Sequence, residues 1–162
     1  SNKSEFWLSE LLPRSILSPS TPLDITPVLK DPAVFRTVID LFEVHVRANY
    51  TKVDLIAGLD SRGFLFGPAL AQRINVGFIM IRKKGKLPGL TESVSYSLEY
   101  GKVSDPFLIL PIFFSGTMSA ACELLTRRGA EILDCLVLIE LLSLRGADKL
   151  KPHRTHSLLA YD

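Results

Sequence analysis

The chain has 162 residues, enough for one domain with a sizeable core, and 47% of them are apolar, with a mean hydropathy of +0.24. This composition excludes disorder as the main state. The net charge of +2, from 19 basic and 17 acidic residues, is too balanced for a general nucleic-acid or membrane binder, so any preference for anions must come from local clusters.

The two cysteines, Cys122 and Cys135, lie inside apolar periodic segments and have no metal-binding spacing. We expect two buried thiols in a reducing compartment, and neither a disulfide nor a zinc site. No charged-then-apolar signal is seen near residue 1, and the apolar runs are short or carry acidic residues. We therefore expect a cytoplasmic protein without membrane contact.

The first predicted elements are helical. An amphipathic start at 5–12 precedes a Ser-, Thr- and Pro-rich segment at 18–27, which we expect to cross the surface without a regular helix. Asp31 followed by Pro32 predicts a helix start, because Asp caps helices and Pro is tolerated at their first position. Apolar residues at helical spacing extend this helix to about Ala48.

Strands and helices then alternate, and most of the strands are continuous apolar runs. Such runs are typical of a parallel sheet covered on both faces. We predict a single α/β domain over 1–162, with a mostly parallel central sheet flanked by helices on both faces. The predicted strands are 53–59, 77–81, 107–114, 131–141 and 156–161, the helices are 64–74 and 117–128, and 95–100 alternates polar with apolar residues.

The first candidate site follows the strand at 53–59, where Asp60, Ser61, Arg62 and Gly63 form a turn before an apolar helix. The N-terminus of a helix attracts anions, and the planar guanidinium of Arg62 suits phosphate oxygens. The alternative is an ordinary strand-to-helix turn with a surface arginine.

The second candidate is Ser115-Gly116-Thr117, between the run at 107–114 and the next helix. A glycine lets an anion approach the backbone, and Thr117 offers a hydroxyl at a helix start. The alternative is a plain helix cap by Ser115 or Thr117. Because ligands of open sheets bind beyond the carboxyl ends of the strands, two such loops in one sheet favour a phosphate site.

A basic cluster, residues 82–86, follows the strand at 77–81, and its lysines would add positive charge to a polyphosphate whose geometry Arg62 fixes. The alternative is a solvated surface turn, and a nucleic-acid role is disfavoured by the balanced charge. Glu99, flanked by tyrosines, is the best-placed carboxylate for acid–base work, with an exposed strand glutamate as its alternative. We expect His45 and His153 at the surface and His156 at a strand start.

Five blocks together closely resemble the adenine phosphoribosyltransferases of animals, members of the type I phosphoribosyltransferase family. The resemblance covers nearly the whole chain, and the blocks follow the order of the family. They are residues 24–32, 57–67, 81–89, 95–101 and 116–125.

The resemblance implies a type I phosphoribosyltransferase fold, with 1–30 as a base-binding hood, and a homodimer in the cytoplasm. It implies purine salvage: adenine and phosphoribosyl pyrophosphate give AMP and pyrophosphate, with Mg²⁺ bound through the donor's pyrophosphate. It also assigns residues. Asp60, Ser61, Arg62 and Gly63 would form the pyrophosphate loop, with Lys83 and Lys86 at the edge of a catalytic loop; Glu99 and Tyr100 would belong to that loop, and Ser115, Gly116 and Thr117 would hold the 5′-phosphate.

The chain departs from the family pattern at two places. The donor-binding signature has two adjacent acidic residues after an apolar strand, whereas this chain has only apolar residues at 108–114 and Ser115 in place of the first loop glycine. Thr21-Pro22-Leu23 stands where the family has a phenylalanine that stacks on adenine. Either the chain is a non-catalytic nucleotide-binding or dimer-partner paralogue, or it lacks short segments near Leu23 and at 103–106.

Overall fold

The computed structural model describes residues 24–83, 92–93, 96–98, 106–110 and 116–162. The amphipathic start predicted at 5–12 lies outside the described residues. Within them the helices are α1 (Thr26–Lys30), α2 (Pro32–Asn49), α3 (Gly63–Ile74) and α4 (Gly116–Arg127), and the strands are β1 (Leu55–Leu59), β2 (Gly77–Lys83), β3 (Glu92–Ser93), β4 (Tyr96–Leu98), β5 (Pro106–Leu110), β6 (Glu131–Leu141) and β7 (Thr155–Tyr161). Two 3₁₀ helices, Leu142–Leu144 and Ala147–Leu150, connect β6 to β7.

The strands form one sheet in the order β3-β4-β2-β1-β5-β6-β7. Five neighbouring strands run parallel: β2, β1, β5, β6 and β7. β4 pairs antiparallel with both β2 and β3 at the edge of the sheet. The predicted, mostly parallel sheet is confirmed. β1, β2 and β7 lie within two residues of the predicted bounds, and β6 matches them. β5 begins one residue before its predicted start, and residues 111–114 of its predicted range lie outside the described residues.

Helices cover both faces of the sheet, so the predicted three-layer architecture is also confirmed. Ile56 packs with the buried residues of α1, α2 and α3, and its neighbour Ala57 packs with those of α4 on the opposite face. This alternation follows from the two-residue period of a strand. None of the helices among the described residues is long and apolar enough to cross a membrane.

Helix α2 begins where its sequence predicts. The Asp31 carboxylate accepts hydrogen bonds from the backbone N–H groups of Ala33 (2.8 Å) and Val34 (3.3 Å), and Pro32 occupies the first helical position. Buried residues at helical spacing, among them Val38 and Phe42, pack the helix on the sheet. The helix ends at Asn49, one residue beyond the predicted end.

The structure corrects the prediction that 18–27 holds no helix, because α1 begins at Thr26. Pro27 lies in the first turn of α1, where its missing N–H would have no partner in the helix anyway, so the proline does not prevent the helix. A second correction concerns β2, which continues through Arg82 and Lys83 rather than ending at Ile81.

The prediction for His45 was wrong, because its ring is only 15% exposed. Its Nε2 lies 2.7 Å from Oδ2 of Asp134, which is buried in β6, and the hydroxyl of Tyr50 donates to the same oxygen at 2.7 Å. The His45 ring also stacks on that of His156, with centroids 3.5 Å apart. The contact with Asp134, 89 positions away in the chain, therefore accounts for the burial of His45.

The two cysteines are free thiols in the core, as predicted. Cys122 lies in α4 and Cys135 in β6.

Candidate functional site

The order of the strands locates a candidate site before any side chain is considered. β1 continues through α3 to β2 on one side of the sheet, whereas its neighbour β5 continues through α4 to β6 on the other side. The two helices cover opposite faces. Such a reversal opens a crevice beyond the carboxyl ends of the two strands, which is where open α/β sheets bind ligands.

The two predicted phosphate loops lie at this crevice. Residues 60–62 connect β1 to α3, and the second loop ends at the start of α4, after β5. β1 and β5 are parallel neighbours with Gly58 opposite Leu110, so their carboxyl ends are level. Two helix N-termini, each with a positive partial charge, therefore begin at the same edge of the sheet.

The first junction is a tight turn. The backbone N–H of Asp60 donates to Ile81 in β2 at 3.1 Å, and the peptide bond between Asp60 and Ser61 is cis. The carbonyls of Ser61 and Arg62 accept from Phe64 and Leu65, at 3.1 and 3.0 Å, so the turn leads directly into α3. The backbone of this turn is consequently fixed at the end of β1.

The carboxylate of Asp60 accepts a hydrogen bond from Nε of Arg82 at 3.0 Å. Leu59 and Ile81 are the last pair between β1 and β2. The residues that follow them, Asp60 and Arg82, therefore lie side by side. The Arg82 guanidinium also lies over the ring of Phe64, 5.8 Å from its centroid. This ion pair ties the turn to β2 and offsets the negative charge of Asp60.

Sequence reasoning placed Arg82 in a basic loop and missed this role. A usable signal existed, because Asp60 and Arg82 each follow an apolar run that was predicted as a strand. If the two strands are parallel neighbours, oppositely charged residues at their carboxyl ends can pair. What the sequence could not supply was the register that brings these two residues together.

Arg62 lies close enough to the beginning of α1 to act on Asp24. The pKa of Asp24 is lowered first by hydrogen bonds from the side chain and backbone of Thr26, and then by the charges of Lys30 and Arg62. The block at 24–32 and the turn at 60–63, which are far apart in the chain, are therefore neighbours in the fold.

At the second junction, Gly116 is exposed, and a Cβ built on it would meet no atom of the described residues within 4 Å. The described part of the chain therefore leaves the space beside this backbone open to a ligand. Thr117 is half-buried at the same end of α4, and Ser115 lies outside the described residues.

The structure thus brings together six of the predicted site residues: Asp60, Ser61, Arg62, Gly63, Gly116 and Thr117 lie at the junctions after β1 and β5. The backbone of Lys83 pairs with that of Tyr96 at the end of β2. The remaining candidates, Lys86, Glu99, Tyr100 and Ser115, lie outside the described residues.

β5 supplies a further observation about the missing acidic pair. Leu108 and Ile109 are fully buried, one on each face of the sheet, so this strand contributes to both cores.

Within the described ranges, no group of three or more His, Cys, Asp or Glu residues could hold a metal ion.

A cavity of about 560 Å³ lies elsewhere, between α1, α2 and α3. It is lined mostly by apolar side chains, including Leu29, Phe35 and Leu65, with Arg36 and Arg73 beside them. None of the predicted site residues that the structure describes lines it, so it is separate from the two junctions.

Comparison with known proteins agrees with this geometry. A model of the phosphoribosyl transferase domain matches residues 24–158. Human adenine phosphoribosyltransferase is 49% identical over 181 residues, covering 98% of each chain, and the rat enzyme is 50% identical over 153 residues, covering 86% of this chain and 85% of its own. The aligned span with the human enzyme exceeds the 162 residues of this chain, so the human enzyme has positions that this chain lacks.

A solved structure of adenine phosphoribosyltransferase from Saccharomyces cerevisiae superimposes with a TM-score of 0.85 at 31% identity, covering 97% of this chain and 99% of the yeast chain. That enzyme was crystallised with adenine and an imino-sugar bisphosphate. The comparisons favour an enzyme over a non-catalytic paralogue. On its sequence and its fold, the chain belongs to the adenine phosphoribosyltransferase family.

Proposed function

We propose that this chain transfers the phosphoribosyl group of phosphoribosyl pyrophosphate to adenine, forming AMP and releasing pyrophosphate. The observation that carries the proposal is the side-by-side position of two strand-to-helix junctions at the reversal of strand order. A phosphorylated sugar with a phosphate group at each end needs two anion sites separated by a ribose. The yeast relative, crystallised with adenine and a sugar-like bisphosphate, supports the same arrangement.

In this proposal the turn after β1 binds the pyrophosphate. The backbone of Ser61 and Gly63 and the start of α3 provide positive potential, and the Arg62 guanidinium adds a planar pair of donors. Asp60 does not contact the anion directly, because its carboxylate is held by Arg82. Lys83 and Lys86 add further positive charge, and Gly116 and Thr117, with Ser115, receive the 5′-phosphate.

The reaction breaks the bond between C1′ of the ribose and the pyrophosphate oxygen and forms a bond between C1′ and N9 of adenine. Positive charge develops at C1′, and negative charge develops on the departing pyrophosphate. Fixed donors at the first junction stabilise that leaving group without reorganising during the reaction. Glu99, beside Tyr100, would assist protonation of adenine or stabilise the charge at C1′.

Magnesium would arrive bound to the pyrophosphate of the donor. Mg²⁺ prefers phosphate and water oxygens with few protein ligands, so a dedicated cage of side chains is unnecessary. We assign no residue of the chain as a ligand.

The experiment that tests the proposed function follows AMP formation from adenine, phosphoribosyl pyrophosphate and Mg²⁺ by the purified chain. We expect turnover, and a fall in kcat/KM of roughly 10- to 100-fold for Arg62→Ala, because hydrogen bonds to charged groups contribute about 1.5–3 kcal/mol and about 1.4 kcal/mol is tenfold. Arg62→Lys, which keeps the charge and loses the planar fork, should fall between the two.

Arg36→Ala is the matched control, because Arg36 is exposed and lies beside the separate cavity of α1, α2 and α3. It should leave kcat/KM unchanged. No AMP from the folded wild-type chain at high donor concentration would refute the proposed activity.

We further propose that the chain works in the cytoplasm as a homodimer, as its resemblance to the family implies. Light scattering of the purified chain should give twice the 18.0 kDa mass of one chain. A monomer at micromolar concentration would contradict the dimer without affecting the assignment of the crevice.

A further inference from the structure

The chain contains two cysteines, and the fold brings their sulfur atoms together. Sγ of Cys122 lies 3.8 Å from Sγ of Cys135, although the two residues are 13 positions apart. Cys122 is 3% exposed and Cys135 is fully buried. The proposed transfer reaction uses neither thiol, so this contact needs a separate account.

A second cavity, of about 260 Å³, has Cys122 in its wall. Arg127 of α4 and the lysines Lys149 and Lys151 line it too, but Arg127 pairs with Glu123, which also lines the cavity, and Lys151 pairs with Asp148. The cavity therefore gives a small reagent a route to Cys122.

The two thiols are not equivalent. A hydrogen bond joins the two sulfur atoms, with either thiol able to donate, and this bond lowers the pKa of Cys122. The same interaction, together with burial, raises the pKa of Cys135. Cys122 is the member of the pair that borders the cavity, so a reagent in the cavity reaches Cys122 before Cys135.

We propose that Cys122 and Cys135 form a redox-active dithiol, which a small hydroperoxide oxidises to a disulfide within one chain. The Cys122 thiolate attacks the peroxide oxygen: an S–O bond forms, the O–O bond breaks, and the departing oxygen leaves as an alcohol or water after taking a proton. The Cys135 thiol then loses its proton and attacks the Cys122 sulfur. An S–S bond forms and hydroxide departs as water, so the two thiols supply two electrons to the peroxide.

The space around the pair suits this sequence. The sulfenic acid formed at Cys122 carries one additional oxygen atom, which the adjoining cavity can accommodate. Cys135 lies in β6, next to the edge strand β7, and the pairing of β6 with β5 and β7 holds Cys135 against α4. The disulfide would thus tie the middle of α4 to the sheet, about 9 Å along the helix from Gly116.

The test treats the purified full chain with dilute hydrogen peroxide and measures its intact mass under non-reducing, denaturing conditions. We expect the loss of two hydrogen atoms, reversal by a phosphine reductant, and a single cross-linked peptide pair containing Cys122 and Cys135. Because the chain has no other cysteine, this loss of mass identifies the bond without ambiguity.

Two variants distinguish the roles of the thiols. In Cys135→Ala the sulfenic acid at Cys122 has no partner, so dimedone should label Cys122. In Cys122→Ala, Cys135 should stay unlabelled. Circular dichroism checks the fold of both variants, and if either fails to fold, the mass of the wild-type chain decides alone.

Glutathione in the same tube serves as a control for the oxidant. The proposal would be overturned if glutathione is oxidised while both thiols of the wild-type chain stay free. A disulfide between two chains would also overturn it. Equal labelling of Cys135 in Cys122→Ala would also overturn it. None of these readouts uses the transferase reaction, so a failure here is distinct from a failure of the proposed function.

Discussion

At the scale of single residues, the most informative side chain outside the crevice is Asp134. It is 1% exposed, and its carboxylate accepts hydrogen bonds from the hydroxyl of Tyr50 and the backbone N–H of Cys135, with Nε2 of His45 at 2.7 Å. Burial alone would raise its pKa, but the hydrogen bonds from His45 and Tyr50 and the nearby imidazoles outweigh burial and lower it. Asp134 thereby joins the end of α2 to β6.

We predict that Asp134→Asn lowers the free energy of unfolding by roughly 1.5–3 kcal/mol, because it removes a charged acceptor from buried donors. Urea unfolding measures this change. Asp148→Asn is the matched control, since Asp148 is 40% exposed and its partners Arg145 and Lys151 are more exposed still. The control should change the free energy by no more than about 0.5 kcal/mol, and equal losses in the two variants would contradict the role given to Asp134.

The lowered pKa of Asp134 also predicts how the free energy of unfolding depends on pH in the wild type and in Asp134→Asn. A carboxyl group whose pKa is lower in the folded state stabilises the fold fully above its unfolded pKa of about 3.9, and that stabilisation is lost as the pH falls through the folded value. The difference in unfolding free energy between wild type and Asp134→Asn should therefore shrink as the pH falls below about 4. A difference that grows on acidification would show that the sign is wrong.

His45 illustrates what the sequence could not supply at this scale. A lone histidine in an amphipathic helix is usually a surface residue, and nothing near it in the chain indicated otherwise. Its partners, Asp134 and His156, come from β6 and β7, so only the assembled sheet determines its environment. Asp60 and Arg82 differ in this respect, because each directly follows a predicted strand.

At the scale of elements, two glycines allow α3 to pack closely on the sheet. A Cβ on Gly58 of β1 would lie 2.4 Å from the Phe78 ring and 2.9 Å from the carbonyl oxygen of Gly63. A Cβ on Gly67 of α3 would lie 2.3 Å from the same ring. The ring of Phe78 thus fills a slot that only glycines leave open, and this slot fixes the distance between α3 and the strand that ends at the crevice.

We predict opposite outcomes for two glycine-to-alanine substitutions. Gly58→Ala should lower the free energy of unfolding by about 1–3 kcal/mol, because the new methyl group overpacks a rigid site. Gly116→Ala should leave stability nearly unchanged, since its Cβ meets no atom of the described residues, and should weaken AMP binding if the 5′-phosphate approaches that backbone. Thermal unfolding and calorimetric titration with AMP test the pair, and an unfolding loss in Gly116→Ala comparable to that in Gly58→Ala would contradict the packing account.

Elements with a strong local signal were predictable and those without one were not. The Asp31-Pro32 start and the helical spacing of Val38 and Phe42 determined α2, and a long apolar run determined β6. β3, with two residues, is too short to show a period, and the alternation at 95–100 that contains β4 could not reveal its antiparallel pairing with β2 and β3. α1 was missed because Pro27 was taken as a helix breaker although a first turn tolerates proline.

At the scale of the whole molecule, the scaffold of the family is present, while the acidic pair that the resemblance leads us to expect is absent from the sequence at 108–114. Leu108 and Ile109 are fully buried in β5, and the alignment with the human enzyme includes positions that this chain lacks. The sheet order, and with it the crevice, tolerates this change because β5 still pairs with β1 and β6.

We predict weaker donor binding than in the human relative. Each charged hydrogen bond to the ribose hydroxyls that is lost costs roughly 1.5–3 kcal/mol, so the KM for phosphoribosyl pyrophosphate should be at least about tenfold higher, measured side by side. Equal values for the two enzymes would mean that carboxylates from another part of the chain reach the ribose.

The most direct measurement is a crystal structure of this chain with AMP and pyrophosphate bound. We expect the 5′-phosphate within hydrogen-bonding distance of the backbone of Gly116 and Thr117, and the pyrophosphate at residues 61–63 with the Arg62 guanidinium beside it. Ligands bound away from the carboxyl ends of β1 and β5, or a 5′-phosphate that does not contact the start of α4, would contradict the assignment of the crevice.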